Sequence, residues 1–195
     1  MLVLVAYGSK RGGTAELARM IGKAFAERGW SVEVRPAADV TTVTGADAVI
    51  VGGALYMNRW HRDAVGFVKK HAAALRELPV WFFSSGPLDD SARAGDIAPV
   101  AQVQALAASI EVKGHMTFGG RLLPDAKGLV ASRMAKKYSG DWRDPQHVRE
   151  WVHQICTHDM PEAIALPPDT VKLADRLPRQ RVAAHDQPAA DRPLA

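Results

Sequence analysis

The chain has 195 residues, with 25 lysines and arginines against 21 aspartates and glutamates, and a net charge of +4. That length suits one domain with an adequate core, and no apolar run approaches the roughly 20 residues of a membrane span. One cysteine, Cys156, excludes an internal disulfide and any thiolate cluster. An apolar strand beginning at Leu2 predicts no secretory leader, so a cytoplasmic protein without a metal site is expected. The sequence pI near 9.4 is compatible with anionic partners. No zinc-finger spacing, basic-region heptad or RNA-binding aromatic signature accompanies it, so nucleic acid is not expected as a partner.

The first strand spans 2–7 and runs into Ser9-Lys10-Arg11-Gly12-Gly13-Thr14, where a helix starts at once. Such a junction gathers backbone N–H groups, two hydroxyls and the positive end of a helix dipole at one point, which is an anion site. The spacing is neither Gly-x-Gly-x-x-Gly nor a Walker loop. A mononucleotide phosphate, FMN first, fits better. Ser9 and Thr14 would donate hydroxyl hydrogen bonds, and the backbone from Lys10 to Gly13 would donate N–H groups. Each charge-assisted bond contributes about 1.5–3 kcal/mol, so no cationic side chain is required, although Lys10 or Arg11 adds long-range attraction.

The first helix is predicted over 13–28, with Leu17, Ile21, Ala24 and Phe25 on one stripe and Gly29 as its stop. Strands follow at 31–36 and 47–53. The loop after the third strand, from Gly52 to His61, carries two glycines, and either Tyr56 or Trp60 could stack on a planar ring beside Ala54 and Leu55. Trp60 could equally staple the next helix, predicted over 61–77, onto the sheet. His61 could move protons or cap that helix.

A fourth strand at 80–85 leads to Ser84-Ser85-Gly86-Pro87-Leu88-Asp89-Asp90. Backbone exposed here would hydrogen-bond the pyrimidine edge of a flavin; alternatively Asp90 or Ser91 caps a helical turn. A helix at 97–109 and a strand at 114–119 follow. Residues 120–144 then form an excursion containing a basic helix from Lys127 to Tyr138, with Arg133, Lys136 and Lys137 set against Leu129, Val130 and Met134. The last helix, 145–157, opens on Asp144 as N-cap and Pro145, and carries Val148, Trp151, Val152 and Ile155 at core spacing. From Leu166 onward, Pro, Asp, Arg and Ala dominate, which predicts a loosely ordered tail over 166–195 beyond a domain at 1–165. His147 and His153, six apart, do not share a helix face as a metal pair would, and Cys156 on an apolar stripe is expected to be inert.

Strand-helix alternation without polar alternation in the strands gives an α/β fold with a parallel sheet covered on both faces. Five strands favour the doubly wound order 2-1-3-4-5, with the ligand at the carboxyl ends of the first and third.

The chain resembles flavodoxin-fold proteins, and within them the menaquinone-dependent protoporphyrinogen dehydrogenase branch. Ser9 to Thr14 matches the phosphate loop of that family. Gly53-Ala54 with Arg59-Trp60-His61 and Phe67-Val68-Lys69-Lys70-His71 matches the branch's second loop and helix. Phe118-Gly119-Gly120-Arg121-Leu122, with the basic helix ending near Lys137, matches its insert. The resemblance spans roughly 2–158 and implies noncovalent FMN, flavin-mediated electron transfer and a quinone acceptor. Ser9, Lys10, Arg11, Gly12, Gly13 and Thr14 would then hold the phosphate. Ala54, Leu55, Tyr56, Trp60, Ser84, Ser85, Gly86, Pro87 and Leu88 would surround the ring.

The chain departs from carrier flavodoxins at Arg11 and in lacking an acidic surface. The basic helix at 127–138 offers contact with an anionic membrane on its inner face, a lid over the flavin, or a dimer contact. The alternatives to an FMN oxidoreductase are an electron shuttle serving protein redox partners and a flavin-free interaction module. A deazaflavin in place of FMN stays open.

Overall fold

The computed structural model describes residues 1–126, 129–158 and 160, with backbone alone at 129–132 and 134. In chain order the elements are β1 (Leu2–Gly8), α1 (Gly13–Ala26), β2 (Ser31–Pro36), β3 (Ala48–Tyr56), β4 (Arg59–Trp60), α2 (Arg62–Lys70), α3 (Ala72–Arg76), β5 (Val80–Ser85), α4 (Ser91–Ala94), α5 (Ala101–Ile110), β6 (Gly114–Phe118), β7 (Arg121–Leu122), α6 (Leu129–Tyr138), β8 (Gly140–Asp141) and α7 (Pro145–His158). The main sheet runs β2-β1-β3-β5-β6, all parallel, with β4 antiparallel to β3. Counting the parallel strands alone, this is the expected order 2-1-3-4-5.

Strands β3 and β5 are buried almost throughout because helices cover both faces of the sheet. On one face α1 and α7 bring Leu17, Ile21, Phe25, Val148, Trp151 and Val152 against Val3, Val5, Ile50, Trp81 and Phe83. On the other, Ala64, Phe67 and Val68 of α2 and Val103, Leu106 and Ile110 of α5 meet Leu4, Ala6, Val49, Val51 and Phe82. Each large apolar side chain so buried contributes about 1.5–3 kcal/mol.

Several boundaries differ from the sequence reading. The helix expected over 61–77 divides at His71, whose φ of −104° and ψ of 12° leave helical geometry; its ring lies against Phe67 and its Nε2 is 3.3 Å from the Val40 carbonyl. The helix expected from 97 starts at Ala101. Pro99 disfavours helical backbone at Ala98, and the Ile97 carbonyl instead accepts from the Thr117 hydroxyl at 3.3 Å. Helix α1 ends at Ala26, while Gly29, at φ 84°, returns its N–H to the Ala26 carbonyl at 2.9 Å. The third strand runs on to Tyr56 because Leu55 and Tyr56 pair with Trp60 and Arg59.

The excursion at 120–144 contains an antiparallel ribbon, Arg121 opposite Asp141 and Leu122 opposite Gly140, with α6 between its strands. Lys127 and the tail at 166–195 lie outside the described residues, as do the side chains of Leu129, Val130 and Met134. Among the described residues no helix is long and apolar enough to cross a membrane.

Candidate functional site

Strand order reverses around β1, and sheets of this order take their ligands at such a switch point, beyond the carboxyl ends of the strands. The loop from Ser9 to Gly12 lies there. Gly12 adopts φ 81° and precedes α1 without any side-chain cap. L-residues enter this left-handed region at a cost, so glycine suits the turn. Without a cap, the first-turn N–H groups keep their capacity to bind an anion. A Cβ at Gly12 would meet nothing within 4 Å, so this side of the loop is open. The Ser9 Oγ accepts from the Gly12 N–H at 3.1 Å, which shapes the loop and leaves the hydroxyl proton to donate. Lys10 is exposed, Arg11 and Gly13 are half-buried, and Thr14 is buried. The Arg11 guanidinium carbon stands 5.8 Å from the centre of the Tyr56 ring, which joins the first loop to the second.

The second loop is a tight β3–β4 hairpin whose central residues, Met57 and Asn58, have φ of 48° and 59°. Two successive positive φ values match the twist of a two-residue hairpin. Tyr56 stays exposed at the rim, whereas Trp60 is buried. The Trp60 ring packs on Phe82 at 4.8 Å and its indole N–H donates to Ser84 Oγ at 2.9 Å. Trp60 is thus buried against β5, and Tyr56 is the exposed ring of the two. Ala54 is buried and Leu55 half-buried, the latter against Gly86. His61 caps α2, its Nδ1 accepting from the Asp63 N–H at 3.4 Å.

In the third loop Ser84 and Ser85 are buried while Gly86, Pro87 and Leu88 are half-buried. Gly86 N–H donates to the Phe118 carbonyl at 3.2 Å and Gly120 N–H to the Pro87 carbonyl at 2.7 Å. The start of the insert is thereby tied to this loop. At Gly119 a Cβ would collide with the Trp142 backbone, so glycine lets the two ends of the insert close on each other. Trp142 N–H in turn donates to the Gly120 carbonyl at 3.0 Å. The Ser91 amide bonds to the Asp89 carboxylate at 3.0 Å at the start of the short α4.

Two groupings were not legible in the sequence. The first is a charge cluster between the insert and α1. Glu16 Oε2 meets Arg143 Nη1 at 2.5 Å and Arg121 Nη1 at 2.8 Å, and Arg143 also forks onto Asp141. Burial favours the neutral Glu16 carboxyl, but the hydrogen bond and charge of Arg143, then the charge of Arg121, outweigh it and lower the pKa. The Arg143 hydrogen bond lowers Asp141 as well. Glu16 and Arg143 lie 127 residues apart in sequence, and no local pattern links them.

The second grouping is a partly buried polar chain, in which Ser84 Oγ joins the Trp60 indole to His115 Nε2, the latter also at 2.9 Å. Burial pushes His115 down to about 4, and its Nδ1 has no hydrogen-bond partner. His147 packs on Phe118 and is likewise lowered, chiefly by burial and then by Arg93. Burial raises Cys156. Among the described residues no cluster of three or more His, Cys, Asp or Glu could hold a metal.

The sequence pattern of the flavodoxin domain matches residues 4–140, most of the chain. The chain belongs to the flavodoxin-domain family. Solved flavodoxins share its fold. Flavodoxin 1 from Bacillus cereus is 16% identical, with a TM-score of 0.52, covering 81% of this chain and 99% of that one. A mutant of flavodoxin from Pseudomonas aeruginosa is 16% identical, with a TM-score of 0.51 and coverage of 78% and 97%. The TIGR4 flavodoxin of Streptococcus pneumonia is 15% identical, with a TM-score of 0.52 and coverage of 80% and 98%. Among curated proteins none matches the chain.

The cofactor of the flavodoxin family is FMN. The site fits it: an uncapped helix start and an open left-handed turn suit the phosphate, and Tyr56 offers an accessible aromatic face.

Proposed function

We propose that this flavodoxin-domain protein is an FMN-dependent oxidoreductase whose electron acceptor is a quinone, similar to the protoporphyrinogen dehydrogenase branch. Bound FMN supplies the redox chemistry. Ser9, Lys10, Arg11, Gly12, Gly13 and Thr14 would hold its phosphate. Ala54, Leu55, Tyr56 and Trp60 with Ser84, Ser85, Gly86, Pro87 and Leu88 would form the wall around the ring, Trp60 and Ser84 acting from behind by fixing the hairpin. No side chain is required as an essential acid or base.

The observation that carries this reading is the insert. Its ribbon is pinned to α1 through Glu16 and to the third loop through Gly120, so it is held beside both. A fixed wall of that kind suits a small-molecule acceptor better than an open carrier surface. Helix α6 adds exposed Arg133, Lys136, Lys137 and Tyr138, a basic face suited to an anionic membrane in which a quinone is dissolved. A shuttle with protein partners is the second reading, favoured by the exposed Tyr56 and by Met57, which is 95% exposed at the hairpin tip.

Stopped-flow reoxidation of the photoreduced, FMN-loaded protein separates the two. Saturable reoxidation by menaquinone analogues is expected. Negligible turnover with every quinone, beside fast transfer to a redox protein, would overturn the enzyme reading.

A further inference from the structure

Glu16 stands in the first turn of α1, at the end of the helix where the cofactor phosphate belongs. A carboxylate near a helix N-terminus is favourable by itself, but beside an incoming phosphate it adds like-charge repulsion. The structure surrounds this carboxylate from the insert. Arg143 Nη1 touches both Glu16 Oε2 at 2.5 Å and the Gly13 carbonyl at 3.3 Å, so one nitrogen spans the acid and the backbone of the phosphate loop. Arg121 Nη1 meets the same Glu16 oxygen at 2.8 Å. Arg121 also reaches Gly13, where a Cβ would stand 3.6 Å from the arginine's own Cβ.

The guanidinium of Arg143 is fixed by Asp141 on its other side, at 2.7 Å from Nε and 2.5 Å from Nη2, and its side chain is only 4% exposed. A surface ion pair contributes little. This one is a forked, largely enclosed arginine shared by two acids and a loop carbonyl. It therefore sets the charge felt at the phosphate loop as well as the position of the ribbon.

We infer that Arg143, seconded by Arg121, is a positioning residue for the cofactor phosphate. It neutralises Glu16 and holds the Gly13 carbonyl, so phosphate affinity depends on the insert being docked. The inference rests on the FMN reading and assigns to the insert a second role at the opposite end of the cofactor from the ring.

With Arg143 in place, the two arginines balance Glu16 and Asp141. Arg143→Gln leaves one positive charge against two negative ones beside the loop. FMN affinity should then fall about fivefold. Riboflavin, which lacks the phosphate, should bind unchanged. Removing the acid as well, in Arg143→Gln with Glu16→Gln, should return FMN affinity to within about twofold of the wild type, since the repelling group is gone.

Fluorescence-quenching titrations with FMN and with riboflavin on the three proteins read this directly, with inorganic phosphate as a competitor of FMN. Equal weakening of FMN and riboflavin in Arg143→Gln would reduce the arginine to a structural brace and overturn the inference. So would an unchanged FMN affinity, or a double variant no better than the single one. A wild-type protein that binds neither flavin would overturn the FMN reading itself, an outcome separate from these.

Discussion

His115 makes the stability of this fold depend on pH in a way that can be calculated. Its ring projects from β6, half-buried with Nε2 2.9 Å from Ser84 Oγ, and burial holds its pKa at about 4 against an ordinary value of 6.5. Because the folded pKa is depressed, the unfolded chain takes up a proton first as pH falls. Stability is therefore complete above pH 6.5 and declines between there and pH 4. Linkage with these two values gives a loss of about 2 kcal/mol at pH 5 and about 3 kcal/mol at the acid limit. His147, lowered in the same direction, adds to the decline in the wild type.

Urea unfolding followed by tryptophan fluorescence at pH 7.5 and pH 5.0 measures the difference. The wild type should lose about 2 kcal/mol or somewhat more between the two. His115→Gln, which retains a group able to bond Ser84, should lose that much less. The comparison is between pH values within each protein, so a general cost of the substitution cancels. An identical loss in the variant would refute the assignment of a neutral, buried His115.

Two further predictions concern the loops at the site. Met57→Gly should raise stability by about 1 kcal/mol, since a fully exposed methionine at φ 48° occupies backbone that glycine adopts freely; thermal melts check this, and an unchanged or lower midpoint would mean that the hairpin holds the methionine for another reason. Gly12→Ala should weaken FMN binding and lower stability by about 1–2 kcal/mol through its φ of 81° alone, because the added methyl meets no neighbour; paired flavin titrations and melts report the two losses.

The sheet was legible because its central strands β1, β3 and β5 contain continuous apolar runs and its first and last helices carry complete stripes. Leu17, Ile21 and Phe25, like Val148, Trp151 and Ile155, are all buried in one core. The N-cap at Asp144 was equally visible, and its carboxylate accepts the Gln146 N–H at 2.7 Å. The division at His71 was not, since no glycine or proline marks it, and the break follows from contacts with Val40 and Phe67.

The hairpin at Tyr56 to Arg59 was missed because only Asn58 carries a turn signal and Met57 argues against positive φ. For the site, the turn between β1 and α1 lies within six consecutive residues whose glycines mark it, and Gly12 does take the left-handed conformation there. The Glu16–Arg143 pair and the Trp60–Ser84–His115 chain depend on residues brought together by the sheet and the insert. No spacing rule finds them. A two-residue ribbon such as Arg121–Leu122 with Gly140–Asp141 likewise lacks the length for a periodic signal.

Titration of the purified protein with FMN tests the central claim most directly. A flavin absorption spectrum that stays with the protein through gel filtration, with stoichiometric quenching of FMN fluorescence and much weaker binding of riboflavin, is the predicted result. A colourless protein that leaves FMN fluorescence unchanged throughout the titration would contradict it.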